Sequence, residues 1–129
     1  MARTNGSIGT TNFAVSMTAG RHQLIADEGA ELGGKDAGPS PYELLCASLC
    51  ACTAITLRMY AERKQWPLVA AHVDVRYTRE GKEGSLARIL RFEGELDDAQ
   101  RARLADIAER TPVTLTLKQG VPITTTVVR

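Results

Sequence analysis

The chain has 129 residues, of which 24% are charged, and a formal net charge of +1. That length supports one domain with a core of its own and not two, so the expected organisation is a single domain over residues 1–129. The near-neutral balance, with both signs spread along the chain, excludes long-range attraction to nucleic acid or to an anionic membrane surface.

Residues 1–10 are expected to form a flexible lead-in, and MARTNGSIGTTNF lacks the apolar segment of a secretory signal. From Thr11 to Thr18 the residues Phe13, Val15 and Met17 alternate with polar ones, which predicts a strand. Ala19-Gly20 turns the chain, and His22, Leu24 and Ala26 continue the alternation as the second arm of a hairpin. Glu28 to Pro39 is a loop carrying Gly33, Gly34 and Gly38. It lacks the lysine-serine/threonine ending of a phosphate cradle, and its glycines suit a tight path into the next element.

Ser40-Pro41-Tyr42-Glu43 is a helix start, with Ser40 at N-cap, Pro41 at N1 and Glu43 at N3 of a capping box. The helix should run to about Lys64, where Arg58, Arg63 and Lys64 suit its C-terminal dipole, and Pro67 stops it. It is apolar almost all round, which marks a core element. Its longest apolar stretch, Leu44 to Leu57, is interrupted by Ser48, Thr53 and Thr56 and falls short of the roughly 20 residues that span a bilayer.

Leu68 to Thr78 alternates cleanly, with Val69, Ala71, Val73, Val75 and Tyr77 against His72, Asp74 and Arg76. A turn at Glu80 to Gly84 leads to a further strand, Leu86 to Glu95. Asp97 with Gln100 forms a second capping box and opens a helix to about Glu109, buried through Leu104, Ile107 and Ala108. Thr111 to Leu117 fits two readings. Its period of two suits a strand, while Thr111 as N-cap and Pro112 at N1 suit a short helix closed before Gly120. Val121 to Val128 is a β-branched run that predicts a last strand. The element order is that of an α+β domain.

All three cysteines, Cys46, Cys50 and Cys52, fall in the long helix. Cys46 and Cys52 lie about 9 Å apart along the axis, and Cys50 and Cys52 point about 200° apart. Only Cys46 and Cys50 share a face, near the upper end of disulfide reach. Reduced thiols in a cytoplasmic protein are therefore expected. His22 and His72 are not spaced with the cysteines as metal ligands, so no metal and no cofactor is expected.

The segment GGKDAGPSPYELLCASLCACTAITLRMYAERKQWPL, followed by a hairpin and AERTPVTLTLKQGVPITTTV, resembles the OsmC/Ohr superfamily of organic hydroperoxide reductases and their relatives. The likeness runs from about Thr11 to the C-terminus. It implies an intertwined homodimer, with two long central helices wrapped by sheets from both chains and a reactive site at the interface. It also selects the short helix after Thr111. In active members a peroxidatic cysteine follows the helix-initiating proline by 11 residues, which here is Cys52. Two of its family partners are replaced. Thr111 stands where the resolving cysteine is found, and Tyr42 stands where a glutamate follows the proline, with Glu43 one place later.

A reactive Cys52 must be a thiolate, and apolar surroundings disfavour that form. Mid-helix, Cys52 lies too far from the positive end of its own helix, so a cation must be supplied. The resemblance nominates Arg21, at the hairpin turn; Arg58 and Arg63 lie one to three turns further along the helix. Glu43 is explained as a cap, because a shift of one place turns a helical side chain by about 100°. Tyr42, Glu43 and Thr111 are the candidate pocket residues. The expected activity is reduction of hydrophobic hydroperoxides through Cys52 with an external thiol or dithiol as reductant. The alternative is a non-catalytic or redox-sensing dimer that binds a small apolar ligand. Nucleic acid and membrane are not expected partners.

Overall fold

The computed structural model describes all 129 residues, arranged as two compact units, Met1–Leu45 and Cys46–Arg129. The N-terminal unit holds a three-stranded antiparallel sheet in the order β1 (Thr4–Ser7), β2 (Val15–Ala19), β3 (His22–Ala26). β1 is a strand that hydrophobic alternation could not signal, because its residues TNGS are all exposed; it is held by its ladder with β2, from Thr4 opposite Ala19 to Ser7 opposite Ser16. β2 starts at Val15; of the residues expected before it, Thr11, Asn12 and Phe13 form bends. The turn between β2 and β3 places Gly20 at φ 62°, a conformation that favours glycine.

The loop after β3 is organised by the buried carboxylate of Asp27. It accepts hydrogen bonds from the amides of Glu28 (2.8 Å), Lys35 (3.2 Å) and Ala37 (3.1 Å). These amides, with Ala37 foremost, hold its pKa below the ordinary 3.8. Gly34 and Gly38 are required by close approach: a Cβ at either would run into the carbonyl of Glu28 or of Ile25. The loop delivers the chain to Ser40, whose amide donates to Glu43 Oε1 (2.9 Å) while its hydroxyl accepts from the Glu43 amide (3.2 Å). This is the expected capping box, and it starts α1 (Pro41–Lys64).

In the C-terminal unit, β4 (Ala70–Glu80) and β5 (Glu83–Glu93) form an antiparallel hairpin, followed by α2 (Asp98–Ala108) and α3 (Pro112–Gln119). The Asp97/Gln100 capping box opens α2. The core gathers Leu57 and Ala61 of α1, Leu104 and Ala108 of α2, and Leu68 and Leu96 from the connections, with Leu90 and Phe92 of β5 packed against them.

α1 departs from the expected all-round burial. Its buried residues, Leu49, Thr53, Leu57 and Ala61, recur every four positions as one stripe, while Ile55 and Met59 are 54% and 59% exposed in the single chain. By length and composition the whole 24-residue helix would also pass as a bilayer span, contrary to the estimate from Leu44 to Leu57 alone; its buried stripe packs as core. The predicted strand at Val121 to Val128 is absent. Residues 121–129 carry no regular structure and are exposed, since no strand lies alongside them to complete a ladder.

Candidate active site

α1 presents Cys52 half-buried, and the N-terminus of α3 meets it. The amide of Val113, at the second position of α3, donates to the Cys52 sulfur at 3.5 Å. Free amides and the positive end of the dipole make a helix N-terminus favourable to negative charge. The local sequence builds this end. Thr111 caps α3 by accepting from the Thr114 amide, and Pro112 occupies N1, where a missing N–H costs nothing. The short-helix reading of this segment is the one realised.

The other thiols differ. Cys50 donates its S–H to the Val73 carbonyl at 3.4 Å, a bond that exists only while the thiol keeps its proton. The contact to Cys52 runs the other way, because the sulfur accepts, and it survives and strengthens if that proton is lost. All three cysteines are unpaired as disulfides.

Beside this contact lies a residue that sequence reasoning missed. The guanidinium of Arg88, on β5, is only 11% exposed. Its Nη1 donates to Thr53 Oγ1 (2.9 Å) and Thr114 Oγ1 (3.0 Å), and its Nη2 to the Ala108 carbonyl (2.8 Å) and Glu109 Oε2 (3.1 Å). A buried charge is tolerated when it is saturated in this way. Ala108 ends α2, so the cation also meets the negative end of that helix. Glu109 has its pKa lowered by Lys118 first and Arg88 second, and carries the countercharge. The signal was in the register: Arg88 occupies the inward position shared by Leu86, Leu90 and Phe92, where an arginine is out of place unless it has partners to meet.

The threonine hydroxyls connect in one direction. Thr53 donates to the Leu49 carbonyl (2.6 Å), and Thr114 donates to the Ala108 carbonyl (3.3 Å). With its proton so used, Thr114 accepts from Thr111 at 2.6 Å. Thr111 is thus fully buried and fully engaged.

Arg21, Tyr42 and Glu43 belong to the N-terminal unit. Arg21 is exposed at the β2–β3 turn, Tyr42 lies in the first turn of α1, and Glu43 is the cap described above. Arg58 is engaged elsewhere, donating to the carbonyls of Leu68 (2.7 Å) and Val69 (3.3 Å). His72 meets Glu93 Oε2 at 2.5 Å.

A cavity of about 670 Å³ opens in the C-terminal unit. Leu49, Tyr77, Leu86, Leu90 and Leu117 form its apolar walls, and Arg88, Glu109, Thr114 and Lys118 its polar end. Cys52 does not line it, but Arg88 and Thr114 belong to both the cavity wall and the network beside the sulfur.

A family model described as OsmC-like protein matches residues 33–126. None of the curated proteins matches the chain. Among solved structures, the OsmC-like protein of Mycoplasma pneumoniae superposes with a TM-score of 0.77 at 15% identity, covering 92% of this chain and 87% of that one. The organic hydroperoxide resistance protein OsmC of Legionella pneumophila gives 0.66 at 21% identity, covering 92% and 89%. The organic hydroperoxide resistance protein OhrB of Bacillus subtilis gives 0.63 at 19% identity, covering 90% of each. At these identities the likeness is one of fold.

Proposed function

The chain belongs to the OsmC family, and from that premise we propose that it is a thiol-dependent peroxidase that reduces organic hydroperoxides through Cys52. The observation that carries the reading is the Val113 amide, in the first turn of α3, donating to the Cys52 sulfur, which puts a hydrogen-bond donor where the chemistry needs one. The thiolate attacks the terminal peroxide oxygen. An S–O bond forms, the O–O bond breaks, and the alkoxide leaves as an alcohol after taking a proton; Cys52 becomes a sulfenic acid. Thr111 provides no second thiol, so an external thiol attacks the sulfenic sulfur and releases water. A second external thiol opens the mixed disulfide and restores Cys52.

Arg21 is the proposed guanidinium that approaches the thiolate, and Tyr42 and Glu43 the proposed walls of the substrate pocket, in a cytoplasmic homodimer. Support for the dimer comes from Ile55 and Met59, left exposed on α1, and from the unpaired run Val121 to Val128.

One observation favours a second reading, in which the protein binds a small apolar ligand without turnover: the cavity with its apolar walls and one polar end is shaped for such a molecule. Consumption of cumene hydroperoxide with dithiothreitol separates the two. The peroxidase reading expects turnover that Cys52→Ser abolishes; equal consumption by both proteins, or none by either, overturns it.

A further inference from the structure

Nη1 of Arg88 bonds to two hydroxyls at once, and their places in the chain are specific. Thr53 directly follows Cys52, and Thr114 directly follows Val113. The two residues that touch through sulfur and amide are therefore each tied, one residue later, to the same nitrogen atom. We infer that Arg88 is a positioning residue for the Cys52 thiol, one that sets the N-terminus of α3 against the sulfur by clamping α1 to α3.

The geometry argues for placement over simple filling of space. α1 and α3 are separated by about 50 residues of chain, and the Cys52–Val113 contact is a weak one that would not hold two helices by itself. The clamp is rigid because the guanidinium is planar and its bonds diverge in fixed directions. It is also closed on every side. Nη2 is held by Ala108 and Glu109, Thr53 by Leu49, and Thr114 by both Thr111 and Ala108. A rotation of α3 would break one or more of these bonds, and the Thr111–Thr114 pair at their inner end is buried, where a lost hydrogen bond is costly. The threonine that replaces the family's resolving cysteine thus belongs to the device that holds the remaining thiol in place.

The inference rests on Cys52 being the reactive thiol, but its test reads the sulfur and not peroxide turnover, so an inactive protein still gives an answer. Two variants are compared with the parent, Arg88→Met and the isosteric Thr114→Val. The measurements are the iodoacetamide labelling rate of Cys52 relative to Cys50, resolved by peptide mass spectrometry, and the amide resonance and hydrogen exchange of Val113. Each variant is expected to lower the relative rate at Cys52 by roughly three- to tenfold and to quicken exchange at Val113. If Arg88→Met fails to fold, Thr114→Val carries the test alone. A folded variant in which Cys52 and Cys50 slow by the same factor, or in which Cys52 and the Val113 amide are unchanged, reduces Arg88 to a core contact and overturns the inference.

Discussion

The sulfur of Cys52 accepts a hydrogen bond from the backbone amide of Val113, 61 residues away in the chain, at 3.5 Å. Of the three cysteines, Cys52 is the one whose sulfur accepts from the first turn of a neighbouring helix, and Val113 lies two residues after Thr111.

On the proposed reading, a cysteine introduced at Thr111 should form a disulfide with Cys52 after oxidation. Thr111→Cys places a thiol at the N-cap of α3, next to the turn that meets Cys52. After hydroperoxide treatment, intact mass is expected to show a loss of two hydrogens in this variant and none in the parent. The variant should be less stable by about 1–2 kcal/mol, since the cap and a buried hydroxyl bond are both lost. A loss of two hydrogens in the parent would contradict the absence of an internal resolving thiol.

Acid should act on the N-terminal unit through Asp27. Its pKa is held below the ordinary 3.8 in the folded chain, chiefly by the Ala37 amide. The folded state therefore binds its proton less readily than the unfolded state. The stabilisation is complete above 3.8 and is lost as pH falls through the lower folded value. Asp27→Asn should lower the melting temperature at pH 7, and its deficit should shrink as pH drops below 3.8. A deficit that stays constant across that range would mean that the carboxylate charge is not what organises the loop.

Leu104 is fully buried in the C-terminal core between α1 and α2. Leu104→Ala should cost about 2–5 kcal/mol in denaturant unfolding, for lost burial and the cavity left behind. A cost below about 1 kcal/mol would mean that the site collapses around the smaller residue.

Most elements follow from local rules visible in the chain. Ser40 and Glu43 mark the start of α1, Asp97 and Gln100 that of α2, and the alternation from Ala71 to Tyr77 marks β4. What escaped reading depends on contacts between distant segments. β1 is TNGS, with no hydrophobic pattern, and exists because β2 offers it a ladder. The run Val121 to Val128 has strand chemistry and no neighbour within its own chain. The spacing of Cys52 from Pro41 is visible in the chain, but the setting of its sulfur is not, because Val113 meets it, and Arg88 meets the neighbouring Thr53, only through the fold. Arg88 left one trace, a charge in register with Leu86 and Leu90.

The face of α1 left open should close in a dimer. Ile55→Glu combined with Met59→Glu puts two charges on that face, where the parent chain exposes two large apolar side chains. Sedimentation is expected to show a dimer for the parent and a monomer for the double variant. A monomeric parent would contradict the proposed assembly.

The most direct measurement is the identity of the atom that hydroperoxide oxidises. The parent protein is treated with one equivalent of cumene hydroperoxide in the presence of dimedone, and the labelled cysteine is located by peptide mass spectrometry. A dimedone adduct of a sulfenic acid is expected on Cys52, with Cys46 and Cys50 unmodified. A label spread evenly over the three thiols, or absent from Cys52, would contradict the peroxidase reading.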